Sequence, residues 1–341
     1  MKQLTNNKFD IKKMFKENTF IFSFIVIIII ATYFNKSFLS WTNMSTLMLQ
    51  SSIKGIIALG MALVIISGQI DLSVGSQCAL ISGLGVAVLN KTTNPWLMFI
   101  FCIFMGLVLG TINGIITTRG KIAPFIVTLA TMIGYRSIIV QLGQGGPFNI
   151  DGAIKASTSP LVLWIRRLPF GIKGDILMSF RKIAAGKVFG IPNLALIFVI
   201  VTIFMTIFIK YSKFGRYVYA VGSNETATFL TGVNVLNIKT MCFVITGLLT
   251  GISSFLLASR LTSITAANVG NQFEMDAIAA VAIGGTSMAG GRGKIVGTFL
   301  GAIMLQMIEG ILVAAHIPPF LVGLVKGVII ILAVVFQRKS D

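Results

Sequence analysis

The sequence predicts an all-α polytopic membrane protein with about ten transmembrane helices (eight to ten), including two Gly-interrupted broken helices. Three observations carry this. Hydrophobic residues make up 55% of the 341-residue chain and charged residues 11%, against about 25% charged in a soluble domain. Mean hydropathy is +0.91. Apolar runs recur along almost the whole length, several near the ~20 residues a crossing helix needs. Too few charges remain to solvate a water-facing surface, and disorder, coiled coils and disulfide scaffolds are excluded by the same composition.

The candidate spans, in order, are 20–34, 53–70, 75–89, 96–117, 122–142, 191–209, 240–258, 276–289, 295–314 and 320–336. The first follows five lysines and precedes Asn35-Lys36-Ser37, without a small-residue cleavage site, so it reads as a retained span and not a signal peptide. Its unbroken apolar run Phe24 to Ile30 lacks the alternation of a β-barrel strand, and helices satisfy their own backbone groups in lipid. The second and third spans flank a glycine-containing break. The fourth carries Gly106 and Gly110, spaced for close helix approach, and the fifth carries Arg136. Before the sixth, the run Ile176 to Phe180 is too short to cross. The eighth opens on Glu274 and Asp276, read as an interfacial pair. The ninth carries Glu309, read with Arg136 as snorkelling near a membrane face, and the tenth carries Lys326, for which no partner can be named.

Net charge is +18. The basic residues sit between apolar runs, so they mark loop topology and anionic lipid, not nucleic acid. With the N-terminus inside, ten spans leave Lys2, Lys8, Lys12, Lys13, Lys16, Arg119, Lys121, Lys210, Lys213, Arg216, Lys239, Arg292, Lys294, Arg338 and Lys339 inside. Short outside loops and their margins receive only Lys36, Lys54, Lys91 and Arg260. This is a positive-inside bias. The long segment 143–190 runs against it, with seven basic residues outside. The chain thus divides into a cytoplasmic segment 1–19, a transmembrane domain 20–336 and a tail 337–341. Within the domain, 143–190 is extracytoplasmic and 210–239 is cytoplasmic.

Few residues suggest covalent chemistry. Cys78, Cys102 and Cys242 lie in apolar segments without paired or metal-ligand spacing. His316, the one histidine, lies in a turn beside Pro318 and Pro319. Gly293-Lys294 is followed by Ile295 where a phosphate loop needs a hydroxyl. No catalytic residue and no metal site are expected.

Two breaks stand out: Gly68-Gln69-Ile70-Asp71-Leu72-Ser73-Val74-Gly75, and Gly284-Gly285-Thr286-Ser287-Met288-Ala289-Gly290-Gly291-Arg292-Gly293. Broken helices in matching places of two halves point to a transport pathway; packing by small residues is the other reading. The pathway candidates are Gly68, Asp71, Ser73, Gly75, Asp276, Gly284, Gly285, Thr286, Gly290 and Gly291. Asp71 either caps the helix after the break, through the N–H groups of Ser73 and Val74, or meets a hydroxylated solute. In 210–239, Ser223 or Asn224 can cap a short helix over Thr226 to Leu230 that Gly232 ends. Such a helix suits docking into a partner's groove or resting on lipid.

At these residues the chain resembles the permease subunit of ATP-binding-cassette importers, in the ribose/xylose/galactose branch. The resemblance runs from about residue 40 to the C-terminus. It rests on Gly55 to Met61 with Ile70 to Gly75, on Pro124 to Met132 with Arg136, on Gly215 to Glu225, and on Met275 to Val281 with Gly284 to Ser287. It implies a homodimer of permeases, two cytoplasmic ATP-binding-cassette ATPases that bind ATP and magnesium, and an extracytoplasmic solute-binding protein. No cofactor is then bound by this chain. The implied ATPase-coupling element comprises Gly222, Asn224, Glu225, Ala227, Phe229 and Gly232. Most relatives carry a second glycine where this chain has Gln69, and the 151–190 loop is longer and more basic than theirs. The expected function is import of a monosaccharide such as a ribose-like pentose. An autoinducer or nucleoside permease is the first alternative, a secondary transporter the second and a non-transporting scaffold the third.

Overall fold

The computed structural model describes residues 19–34, 36–150, 176–318, 321–328 and 331. Helices α1 (Thr19–Phe34), α2 (Trp41–Ile66), α3 (Val74–Thr92), α4 (Pro95–Arg119) and α5 (Pro124–Leu142) lead to strand β1 (Pro147–Asn149). Then follow α6 (Ile176–Ala185), strands β2 (Lys187–Val188) and β3 (Ile191–Pro192), α7 (Asn193–Tyr211), α8 (Lys213–Ser223) and α9 (Glu225–Leu230). Helix α10 (Val235–Leu261), strand β4 (Ser263–Thr265), α11 (Phe273–Ile283) and α12 (Ile295–Ala314) precede a last helical stretch at 321–328. The 1–18 segment, most of the basic 151–190 loop, and the 337–341 tail lie outside the described residues.

Helix starts follow local chemistry. Pro95 and Pro124 occupy the first turns of α4 and α5, where the missing N–H costs nothing. The Asn94 side chain accepts the Trp96 N–H at 2.9 Å. From Leu47 onward most of α2 is buried, and it packs against α7, α10, α11 and α12 at the centre. Gly106 and Gly110 let α4 press on α10: a methyl at Gly106 would strike the Gly247 carbonyl, and one at Gly247 would strike that of Gly106. The outer helices expose Ile100 and Phe104 on α4, Ile126 and Ile133 on α5, and Ile203 and Phe204 on α7, as lipid contact requires. Strand β1 pairs antiparallel with β4, and the Asn90 amide donates to the Asn149 carbonyl at 2.8 Å, tying the end of α3 to that ribbon.

Among the described residues, six helices are long and apolar enough to cross a membrane: α2, α4, α5, α7, α10 and α12. Helix α1 is shorter at 16 residues, and α3 is long enough but less apolar. Two expectations change. The eighth candidate span, 276–289, becomes the 11-residue α11, which at 1.5 Å per residue covers about half of the ~30 Å hydrocarbon core. The second span starts at Trp41 and not at 53. Its early polar residues return hydrogen bonds to their own helix, as Thr46 does to the Thr42 carbonyl at 2.8 Å. Lys54 therefore stands near the middle of a 26-residue helix, not at an outside margin.

Candidate functional site

Both breaks are built by the same backbone device. After α2, Gly68 takes φ +80°; its N–H reaches the Ile65 carbonyl at 2.9 Å, and that of Gln69 reaches Val64 at 2.9 Å. After α11, Gly285 takes φ +80°; its N–H reaches Ala282 at 2.9 Å, and that of Thr286 reaches Val281 at 3.2 Å. Each is a Schellman termination with a left-handed glycine just past the cap. Gln69 does not adopt positive φ, so the departure from a second glycine leaves this turn intact.

The two breaks, more than 200 residues apart in the chain, meet at one place. The Gly291 N–H donates to the Ile66 carbonyl, the last of α2, at 2.9 Å. Gly290 lies against the backbone of Gly68. The end of α8 closes on both: a methyl at Gly222 would collide with the Ile66 carbonyl and the Gly291 amide. The Tyr219 hydroxyl donates to the Gly293 carbonyl at 2.9 Å, and burial pushes its phenol above the ordinary value, which keeps it a donor. The first break also meets the start of α11, since Gly75, near the start of α3, has no room for a Cβ beside the Gly270 carbonyl and Glu274. Further along, Gly284 is pressed against Gly297, which sets α11 antiparallel on α12.

Asp71 is fully buried in the first break. Its Oδ1 accepts the Ser73 N–H at 2.9 Å and the Ser73 hydroxyl at 2.6 Å. Ser73 Oγ in turn accepts from the Gln77 amide at 2.7 Å and the Asn113 amide at 2.7 Å, and the Tyr135 hydroxyl donates to Asn113 at 3.2 Å. Of the two cap contacts expected for Asp71, the one to Ser73 is present, and none to Val74 is found among these bonds. The reason is local: Ser73 is itself helical, φ −85° and ψ −10°, so Asp71 closes a turn one residue before the helix. Gln77, Asn113 and Tyr135 were absent from the sequence-derived set. Their signal was an amide or phenol inside an otherwise apolar helix.

Asp276 is not an interfacial residue. Its Oδ2 lies 2.5 Å from Lys54 Nζ and its Oδ1 2.9 Å from Lys326 Nζ. Glu309 joins both lysines, at 3.4 Å from Lys54 and in direct contact with Lys326. Lys326 thus has partners, and Glu309 pairs inside the bundle instead of snorkelling. Arg136 likewise turns inward, donating to the carbonyls of Ala266 at 2.8 Å and Val269 at 2.5 Å.

The loop helix is present as α9, one residue longer at its start than Thr226 to Leu230. The Asn224 side chain caps it, accepting the Ala227 N–H at 2.9 Å. Gly232, at φ +84°, turns the chain after it. Glu225 pairs with Lys239 at 2.6 Å. Phe229 and Leu230 are 66% and 78% exposed, and an open groove of about 660 Å³ runs between α9 and the start of α10. Helix α8, which carries Gly222, was missing from the sequence reading.

A multi-pass helical bundle, with two broken helices joined to an exposed loop helix, has the architecture of a membrane permease. Residues 43–334 match the family described as "Branched-chain amino acid transport system / permease component", and the chain belongs to that family. It is 36% identical over 316 residues to the ribose import permease protein RbsC of Bacillus subtilis (strain 168), covering 93% of this chain and 91% of the relative. It is 32% identical over 338 residues to RbsC of Escherichia coli (strain K12), covering 99% and 98%. It is 33% identical over 337 residues to the xylose transport system permease protein XylH of Escherichia coli (strain K12), covering 87% and 85%. No solved structure matches it.

Proposed function

We propose that this chain is the permease subunit of an ATP-driven importer for a neutral monosaccharide, a pentose such as ribose or xylose, in a bacterial cytoplasmic membrane. The near full-length similarity to ribose and xylose permeases supports the substrate class. The observation that carries the mechanism is the seat of Gly222 on Ile66 and Gly291, because it joins one loop helix to both broken segments. Helix α9, with Phe229 and Leu230 outward, is the docking knob for a cytoplasmic ATP-binding-cassette ATPase. Movement of α9 passes through α8 to both breaks, which open or close the path. Two permease copies, two ATPases and an extracytoplasmic solute-binding protein complete the transporter. ATP and magnesium belong to the ATPases.

In this arrangement α8, α9 and 284–294 face the cytoplasm, while β1, β4 and the 143–190 segment face outward. The test is reconstitution of the permease with an ATP-binding-cassette ATPase and a solute-binding protein from the same organism. Uptake of radiolabelled D-ribose or D-xylose should require ATP inside and binding protein outside. Uptake that persists without nucleotide would favour a secondary transporter and overturn the reading.

A further inference from the structure

Lys54, Asp276, Glu309 and Lys326 form a four-charge cluster between α2, α11, α12 and the last helix. Lys54 stands about 18–20 Å from either end of α2 at 1.5 Å per residue, so the cluster lies at membrane depth. Charges at that depth are costly and face a bundle interior or a water-filled path. The side chains of Lys54 and Glu309 nevertheless keep 26% and 19% of their surface open. Facing lipid would leave an ammonium partly unsolvated, so the open side faces the interior of the assembly, where water or a polar solute can reach it. The four formal charges sum to zero. Further polar and aromatic groups stand around them: Gln306 donates to Gln50 at 3.1 Å and to Glu309 at 3.0 Å, and Lys54 Nζ lies 5.8 Å from the centre of the Phe273 ring.

Resting on the importer reading above, we infer that the cluster lines the solute path and is its contact site for a neutral, polyhydroxylated solute. Carboxylates accept hydroxyl protons, ammonium and amide groups donate to hydroxyl oxygens, and the ring offers an apolar face to C–H groups. Net neutrality lets a neutral sugar enter without creating an unpaired charge, whereas a charged solute would leave one. Asp276 sits at the start of a half-helix that ends in a glycine break, so motion of that break reaches the contact site.

The experiment uses Lys54→Cys in the full transporter in proteoliposomes. Cys78, Cys102 and Cys242 are fully buried, so the new thiol is read without removing them. Uptake of D-ribose should fall at least about tenfold, as expected for an unbalanced charge at membrane depth. Aminoethyl methanethiosulfonate, which attaches a new ammonium, should restore most of it; methyl methanethiosulfonate should not. D-ribose at saturation should slow the modification. Gln50→Cys, one turn away with all four charges intact, should react as well, and Ile200→Cys on the lipid-exposed face of α7 should not. Unreactive thiols at both 54 and 50 overturn the water-lined path. Reaction unaffected by ribose, or full uptake without an ammonium, reduces the cluster to a structural staple and overturns the contact site. Failure of the unaltered transporter to take up both D-ribose and D-xylose overturns the sugar reading and the sugar contact with it, while thiol reactivity still decides whether the cluster lines water.

Discussion

Gly222, the penultimate residue of α8, lies directly on the carbonyl of Ile66, the last residue of α2. No side chain fits between them, and the same glycine touches the Gly291 amide. Helix α8 thus rests on the ends of both breaks.

Gly222→Ala should therefore disturb this seat. Overpacking of this kind costs about 1–3 kcal/mol, and sugar uptake should fall more steeply than thermal stability. Gly134→Ala on α5, where nothing stands within 4 Å of the added methyl, is the control and should transport normally. Equal uptake by both variants would show that the α8 seat plays no part in transport.

Asp71→Leu should leave the buried Ser73 N–H and hydroxyl without their acceptor, at about 1–3 kcal/mol for each unsatisfied group. Asp71→Asn retains an acceptor oxygen and should keep part of the uptake and most of the melting temperature in detergent. Indistinguishable melting curves for the parent and the leucine variant would remove the structural role assigned to Asp71.

The Tyr219 hydroxyl holds the Gly293 carbonyl from α8. Tyr219→Phe should cost about 1 kcal/mol. Because burial raises the phenol, folding favours its protonated form. This contribution is complete below the ordinary phenol value of about 10 and fades only as pH rises above it. The difference in unfolding midpoint between parent and variant should hence be flat from pH 6 to 9, taken as a range about the neutral region. A pH-dependent difference there would assign the bond to another group.

Ala227→Arg places a long charged side chain on the exposed face of α9, and Gly232→Val forces a branched residue into φ +84°, a conformation costing about 1–2 kcal/mol. Both should leave the permease inserted while abolishing co-purification of the ATPase and sugar uptake. Normal ATPase recovery with both would mean that α9 is not the docking element.

Lys91→Cys at the end of α3 and Thr226→Cys on α9 test orientation. An impermeant thiol reagent should label the first from outside intact cells and the second only in inverted vesicles. Labelling of both from one side would overturn the topology.

Composition and apolar run length were enough to read an all-helical membrane protein and to place most spans, because lipid leaves the backbone one economical choice. Glycine placement exposed both breaks and the α9 turn, since few other residues accept positive φ. Charges told less. Lys54, Asp276, Glu309 and Lys326 come from four separate helices, and no local pattern announces that they meet; read singly, Lys54 falls at a margin, Glu309 at a membrane face and Lys326 without a partner, and Asp276 is both an interfacial residue and a pathway candidate. The length of α11 also depended on tertiary structure, because its apolar run continues past the glycine at which the backbone turns. Only three-dimensional packing decided that two breaks so far apart in sequence share one seat beneath Gly222, since that contact is made by backbone atoms, which no residue type advertises.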